Sequence, residues 1–470
     1  RDTTDPENPH GGAMYVVTRG WGDRVGGWAK PVSKWVAGIF CVTLLVSSFT
    51  GGNMFQAWNV GNITNEYFPV SPLVCGVVMA AITGLVIIGG IKRIGDVAGY
   101  LVPLMCGLYL VASMVVLVIK GADIPGYLYL IVQEAFSPTE ARGAFLGAGA
   151  WFGLTTGLRR ALFSNEAGQG TSPIAHSAAR TDEPVREGVV AGLEPFIDTC
   201  LVCTLTAMVI LCTGTWNREA VGEFQGEIAL EKVIERRTPA GGEPEESVHW
   251  VVEAPKEIAN LPDLPAPASW LPHNSFYLLA RVKGGSHRQR RNELVRVTGR
   301  INAQGTIEWD PVELVEADWD GRPEEIRLVD KGVHQDLVGA SLTGHAFDRA
   351  VPGLGKWLVT ITCWLFAVST LISWSYYGEQ GSIFLFGPRS VLPFKVLYCS
   401  LTVVATLPNF VTNADELGNL SDLGTGIMLF ANVPIILLLS PQAMRAFRDY
   451  FQRLDRGEMA PSAPSVSEES

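Results

Sequence analysis

Two long apolar stretches, residues 35–213 and 356–440, flank a polar, proline-bearing block at 216–350. Runs of about 20 apolar residues are long enough to cross a bilayer as helices. The pattern predicts spans at about 35–60, 70–90, 97–119, 188–213, 356–378, 391–408 and 423–440, with an eighth, interrupted one after residue 144. The segment GYLYLIVQEAF within 120–142 is short and amphipathic and is expected to lie at the membrane interface.

The interrupted span organises the rest. AFLGAGAWFGLTTGLRRALF (144–163) reads as a helix, SNEAGQG (164–170) as a break, and TSPIAHSAAR (171–180) as a second short helix. Ser164 and Asn165 offer side-chain hydrogen bonds to the backbone, and Gly168 and Gly170 tolerate unusual backbone angles. Thr171-Ser172-Pro173 predicts a helix start with a polar cap ahead of proline. Backbone groups freed by such a break cannot face lipid, so they line a cavity or hold a ligand. A cytoplasmic loop between two ordinary helices fits the same pattern.

Polar residues inside the other spans narrow the picture. Asn53, Gln56 and Asn59 are costly against hydrocarbon and are expected to face the bundle interior. Glu194 and Asp198 share a helical face, where two carboxylates need water, a cation or a proton. Asp198 is the deeper of the two and is a candidate for gating or proton coupling. In FAVSTLISWSYYGE, Ser369 and Thr370 are adjacent hydroxyls with Trp374 one turn beyond. Hydroxyl and carbonyl oxygens suit a small hard cation, and an indole can wall a small zwitterion. The alternative is that the hydroxyls bond back to their own helix and the indole packs.

The middle block holds 23 of the 47 acidic residues and 16 of the 36 basic ones, so most of the net charge of −11 belongs to it. FYLLARVKG, NELVRVTGRI and TIEWDPVELV read as strands there, with a hairpin turn at Asn302–Gly305 and proline-rich linkers such as LPDLPAPASWLP. The HRQRR patch at His287–Arg291 reads as a solvated turn. All eight cysteines lie in apolar spans, which argues against a disulfide framework or a zinc site. No basic stripe with interleaved aromatics suggests nucleic-acid binding. No nucleophile–base arrangement suggests an enzyme, and nothing calls for a cofactor. Eight crossings put both ends on one side. Short loops on that side carry 15 Lys/Arg against 3 on the other, Arg159 and Arg160 left aside, which predicts cytoplasmic ends and an extracytoplasmic 216–350 block.

Six short motifs in series carry a family resemblance. They are GG-x-MY at Gly11–Tyr15, GNM-x-QA at Gly52–Ala57, GGIKRI at Gly89–Ile94, FSNEAG-x-G at Phe163–Gly170, FIDT at Phe196–Thr199 and FA-x-ST at Phe366–Thr370. Together they resemble the sodium:alanine (alanine or glycine:cation) symporters. The resemblance implies an all-α polytopic membrane protein with a partial five-plus-five inverted repeat of the leucine-transporter type. About eight of its helices are present, interrupted by a small extracytoplasmic β domain. It implies symport of alanine, glycine or similar small neutral amino acids with Na⁺ across the plasma membrane. It further implies substrate contacts at Gln56, Phe163, Ser164, Asn165 and Trp374, and sodium ligands at Ser369 and Thr370. The expected order is a cytoplasmic segment 1–34, membrane bundle 35–215, β-rich insert 216–350, bundle 351–440 and cytoplasmic tail 441–470. The family's first discontinuous helix lies upstream of Gly11, so the 470 residues alone are expected to hold half a site and not to transport. The family's Gln-Ala-Asn appears here with the asparagine displaced, as Gln56-Ala57-Trp58-Asn59. A second function class is a membrane-anchored sensor of amino acids or the cell envelope acting through the insert, whose own partner the sequence does not name.

Overall fold

In the computed structural model the described residues are 10–122, 124–136, 150–179, 181, 183–217, 219–223, 229–237, 245–253, 275–284, 292–301, 307–309, 323–337, 339–408, 410–411 and 414–459. The expected turn at Asn302–Gly305, the His287–Arg291 patch, the 261–272 linker and residues 144–149 of the interrupted span lie outside them.

The chain is mostly helical. Its helices are α1 Ala29–Phe49, α2 Phe55–Tyr67, α3 Pro72–Ile88, α4 Gly90–Lys120, α5 Ile124–Phe136, α6 Ala150–Asn165, α7 Ser172–His176, α8 Pro184–Pro195, α9 Thr204–Cys212, α10 Ala340–Ala350, α11 Thr360–Phe386, α12 Val391–Val404 and α13 Ala414–Asp455. Wide π-type turns join α1 to α2 at Thr50–Met54 and α8 to α9 at Phe196–Cys203. Among the described residues five runs are long and apolar enough to cross a membrane: Ala29–Tyr67, Gly90–Lys120, Pro184–Cys212, Gly355–Phe386 and Leu417–Asp455. The other three expected spans correspond to the shorter helices α3, α6 and α12. α5 is the expected amphipathic segment.

Two boundaries differ from expectation. Residues 13–25, predicted as part of a polar lead-in, wind through short helical and π-type turns, with Met14 and Val17 buried. The last helix does not stop at Pro441 but runs through Pro434 and Pro441 to Asp455. A proline removes one intrahelical hydrogen bond, which a long helix packed on neighbours tolerates.

Helices in lipid gain little from the hydrophobic effect and pair through close packing and shared hydrogen bonds. The main core gathers Phe40 and Leu44 of α1, Met79 of α3, Leu371, Ile372 and Trp374 of α11, Tyr398 of α12 and Met428 of α13. Gly378 lets α11 approach α1 and α12, because a Cβ there would collide with the Phe394 ring and lie 2.5 Å from Ser48 Oγ. Asn53 faces the interior as predicted. Its Nδ2 donates to the Tyr398 carbonyl (2.7 Å), and its Oδ1 accepts from Thr402 Oγ1 (2.8 Å). Lys395 pairs with Glu379 at 3.0 Å and donates to the Ile87 carbonyl, fastening α12 to α11 and α3.

Between α9 and α10 the described residues form two sheets. The hairpin of β2 Ala229–Arg237 and β3 Glu245–Glu253 stands as one pair. The other sheet contains β1 Gly222–Glu223, β4 Ser275–Gly284, β5 Asn292–Ile301, β6 Ile307–Trp309, β7 Pro323–Leu328 and β8 Gly332–Gln335. Its order is β1-β8-β4-β5-β6, with β7 also paired to β4. β4 is central and its residues Phe276–Ala280 are buried, as a strand covered on both faces requires. Of TIEWDPVELV, Ile307–Trp309 is strand and 310–316 lies outside the described residues. The span 216–350 is not all strand: α10 packs Ala346 and Phe347 against Tyr109 and Val116 of α4 and Met208 and Val209 of α9.

Candidate functional site

The helix of residues 150–165 ends where its side chains and backbone change partners. The Glu166 N–H still reaches the Leu162 carbonyl at 3.1 Å. Glu166 then adopts φ 53°, the one positive φ outside glycine among the described residues, and Gly168 and Gly170 follow at 79° and 94°. Asn165 Oδ1 accepts from the Ala167 N–H at 2.9 Å, the local bond by which asparagine stops a helix. The Gly168 carbonyl, freed by the break, accepts from Asn432 Nδ2 of α13 at 2.8 Å. The helix then restarts at Ser172–His176. The expected side-chain cap is absent: Thr171 has helical angles, its carbonyl accepts from Ile174 and Ala175, and its hydroxyl makes no cap bond. Pro173 at the first turn starts this helix without help from a side chain.

Three sequence motifs and Trp374 meet at this break. Ser164 Oγ donates to Asp198 Oδ2 at 2.7 Å, and Asn165 Nδ2 donates to Thr199 Oγ1 at 3.1 Å, so SNEAG is tied to FIDT. Asp198 also accepts from Thr199 (3.3 Å) and faces the Cys203 thiol (3.8 Å). All three belong to the π-type turn, a wider winding that often marks functional helices. Phe163 lies edge-on to Phe55 at 5.8 Å and covers Gly51, where a Cβ would be 3.0 Å from its ring. Trp374 covers Gly52, where a Cβ would stand 2.5 Å from Trp374 Cβ and 2.6 Å from Cδ2. The Tyr377 ring stands beside Trp374 on the same helix, edge-on at 5.6 Å.

Other predicted residues behave differently. Gln56 is half-buried and donates back to the Gly51 carbonyl at 3.1 Å. Thr370 Oγ1 donates to the Phe366 carbonyl at 2.9 Å, the within-helix bond weighed from sequence, and its lone pairs stay available. Ser369 is buried beside it, one turn before Trp374. The structure thus joins Phe163, Ser164, Asn165, Asp198 and Trp374 around one break, while Gln56 and Thr370 bond within their own helices.

Sequence reasoning missed three contributors. Asn432 was legible as a lone amide in the apolar run FANVPII. Tyr398, whose hydroxyl donates to the Gly52 carbonyl at 3.2 Å and the Leu371 carbonyl at 3.0 Å, gave no sign in an apolar helix. Glu166 stood in view within the motif, but its conformation was not predictable from type, since αL ends of helices favour glycine.

Comparison with known proteins places these motifs. The model of the Sodium:alanine symporter family matches residues 1–239 and 326–463, leaving out 240–325, where part of the strand region lies. A Sodium/alanine symporter AgcS of Methanococcus maripaludis is 27% identical over 441 residues, 94% of this chain and 69% of that protein. A Putative sodium/proton-dependent alanine carrier protein YrbD of Bacillus subtilis is 25% identical over 95% of this chain and 68% of its own length. A Probable sodium/glutamine symporter GlnT of Bacillus subtilis is 32% identical over 207 residues, 44% of this chain and 40% of that protein. The chain therefore spans about two thirds of the length of relatives that match it throughout, and less of others. With its apolar crossings, its helix break and this family match, the chain is a multi-pass membrane transporter protein rather than an enzyme, and it belongs to the sodium:alanine symporter family.

Proposed function

We propose that this chain serves sodium-coupled symport of a small neutral amino acid, alanine or glycine first among them, as part of the full reading frame. The observation that carries the reading is the loss of helical winding at 166–170 beside Gly51–Gly52 and Trp374, tied to Asp198 and Thr199. A break inside a bundle presents unpaired carbonyls and N–H groups, which suit a zwitterion and a sodium ion without a large fixed charge. Phe163, Ser164, Asn165 and Trp374 are the substrate contacts in this reading, with Gln56 turning from its own helix to join them. Ser369 and Thr370 are the sodium ligands. Thr370 gives its proton to Phe366 and so offers only lone pairs outward, as a cation ligand must. The names of relatives, alanine and glutamine carriers coupled to sodium, support the solute class.

The organisation follows the same reading. The bundle segments 35–215 and 351–440 form part of a five-plus-five inverted repeat, and the strand-bearing 216–350 is an extracytoplasmic insert. Both described ends, the segment up to residue 34 and the tail from 441, face the cytoplasm of a plasma membrane. The basic loops support this orientation. One Na⁺ crossing 100 mV supplies roughly 2.3 kcal/mol, which at about 1.4 kcal/mol per tenfold supports roughly 50-fold accumulation before the sodium gradient is counted.

The test is uptake of radiolabelled alanine into proteoliposomes by the protein expressed from its full reading frame. Uptake should require external Na⁺ and rise with an inside-negative potential. Equal uptake with choline replacing Na⁺ overturns sodium coupling, and saturable uptake of no amino acid overturns the symport reading.

A further inference from the structure

The 42 residues of α13 make a rod of about 63 Å, roughly twice the thickness of a bilayer's hydrocarbon core. Its lipid-facing side can be followed along the rod: Leu423, Phe430, Leu437 and Met444 recur every seventh residue and all are exposed. Phe447 continues that side. Past Ser440 the character of the helix changes. Arg445 and Arg448 stand next to Met444 and Phe447, and both are exposed.

A third arginine joins them from far away in the chain. Arg24 Nη1 donates to Gln442 Oε1, so its side chain meets α13 one turn before Arg445. Gly20 packs on the same helix, where a Cβ would lie 3.4 Å from Leu439 Cδ1. Gln442, Arg445 and Arg448 are spaced by three, so Arg24, Arg445 and Arg448 offer cations on successive turns. The start of α1 lies at this end too: Ser47 packs on Gly424, whereas Ser33 packs on Gly22, two residues before Arg24. That start carries Trp28 and Trp35, 70% and 75% exposed. Open indoles at the end of a spanning helix mark the headgroup layer.

The charge is not spent inside the protein. Among the described residues Arg24, Arg445 and Arg448 pair with no carboxylate. Arg445 Nε donates to the Pro441 carbonyl at 3.2 Å, which leaves its terminal N–H groups for a ligand. The two carboxylates next to the row are taken, Asp23 by Lys30 at 3.5 Å and Asp449 by Arg453 at 2.9 Å. Residues 19–34 and 441–456 together hold 8 Lys/Arg against 3 Asp.

We propose that Arg24, Arg445 and Arg448 dock the phosphate of an anionic phospholipid, whose acyl chains run along the exposed side of Phe430, Leu437 and Met444. The guanidinium fork matches two phosphate oxygens at once, and a row of three attracts net negative charge. A zwitterionic lipid carries its own cation beside the phosphate and forfeits most of that attraction. The surface is separate from the solute site and does not rest on the transport reading.

Thermal unfolding of the purified full-length protein in neutral detergent is followed while dioleoylphosphatidylglycerol is added. Dioleoylphosphatidylcholine and inorganic phosphate are the comparison probes. Phosphatidylglycerol should raise the unfolding temperature, and the other two at equal concentration should not. The double variant Arg445→Gln with Arg448→Gln alters only exposed side chains and should unfold as the wild type does without lipid. Its phosphatidylglycerol concentration for half-maximal stabilisation should rise about tenfold or more, and adding Arg24→Gln should raise it further. Arg456→Gln is the control, because Arg456 lies beyond the row beside Glu458 at 3.9 Å, and it should leave the titration unchanged. The difference between the two lipids within each protein is the readout, so a shifted baseline in a variant does not obscure it. Equal stabilisation by phosphatidylcholine overturns the proposal, as does stabilisation by inorganic phosphate alone or a wild-type titration in the double variant.

Discussion

Replacing Gly52 by alanine tests whether Trp374 must sit where it does. The new Cβ would lie 2.5 Å from Trp374 Cβ and 2.6 Å from Cδ2, whereas ordinary contact begins near 3.4 Å. The colliding atoms include the root of the side chain, so the indole cannot swing aside at its tip and must move by about 1 Å as a unit. Overpacking of this kind costs about 1–3 kcal/mol, against which the glycine-to-alanine change within a helix returns about 1 kcal/mol. Stability should therefore fall by no more than about 2 kcal/mol. Function should suffer far more, because a displacement near 1 Å in a binding group costs on the order of 100-fold. The assay pairs thermal unfolding with sodium-dependent alanine uptake by the full-length protein. Gly38→Ala is the control: it lies in the same helix as Gly51's approach, with no atom within 4 Å of its new Cβ, and should be neutral or slightly stabilising. Gly52→Ala with normal affinity and uptake would refute the placement of Trp374 in the site.

Three further outcomes follow from single contacts. Asn432→Ala strands the half-buried Gly168 carbonyl and should cost about 1 kcal/mol by thermal unfolding, with a raised KM for uptake; Asn432→Asp, which cannot donate from its side chain when ionised, should be no better. Lys395→Met leaves Glu379 unpaired among buried groups and should cost about 3–5 kcal/mol, while the double change with Glu379→Gln recovers part of it, as unfolding midpoints will show. Near the end of α13, Arg453 grips Glu183 through two bonds of 2.8 and 3.0 Å and holds its carboxyl below the ordinary 4.5. A depressed carboxyl stabilises the fold above its unfolded value and loses that contribution as pH falls through the folded one. Melting curves of the wild type should therefore drop more steeply between about pH 5 and 3 than those of Glu183→Gln.

The residues that were legible in the sequence are those whose polarity conflicts with lipid. Asn53 inside an apolar run had to face a partner, and it does. Ser164–Gly170 combined Ser, Asn and two glycines, residue types that compete with helical winding, and the winding stops there. Asp198 was conspicuous for its charge, though its donors, Ser164 and Thr199, come together only through the π-type turn, which no composition rule announces. Trp374 could be placed on a face but not against Gly52, because a contact between residues 322 positions apart depends on how two helices cross. The capping role read into Thr171 failed for a local reason: Thr171 itself takes helical rather than extended angles, and Pro173 has no N–H for a cap to receive. The helical turns of residues 13–25 were hidden because Arg19, Gly20, Gly22, Asp23 and Arg24 interrupt the apolar run before it is long enough to read as a span, although Met14 and Val17 are buried.

The break, the wide turns and the close-packed glycines are one arrangement. A helix that stops at Asn165 leaves its last carbonyls without partners, and lipid cannot supply them. Donors reach in: Gln169 Nε2 donates to the Leu162 carbonyl, Asn432 from α13 donates to the Gly168 carbonyl, and the Asn165 side chain is anchored to Thr199. For Asp198 and Thr199 to point at the break from the same short stretch, the winding at Phe196–Cys203 must widen, since in a regular helix adjacent residues project about 100° apart. The second wide turn, Thr50–Met54, brings Gly51 and Gly52 against Phe163 and Trp374, where any larger residue would push the aromatic walls outward. Each irregularity costs hydrogen-bond geometry, and each is held by a contact to the break rather than by its own helix. Stiffening either wide turn into a regular helix should thus improve local hydrogen bonding and yet disperse the site. A deletion of one residue within Phe196–Cys203 that keeps the protein folded but separates Ser164 from Asp198 is expected to abolish solute binding, and retention of binding in such a variant would show that the two motifs act independently.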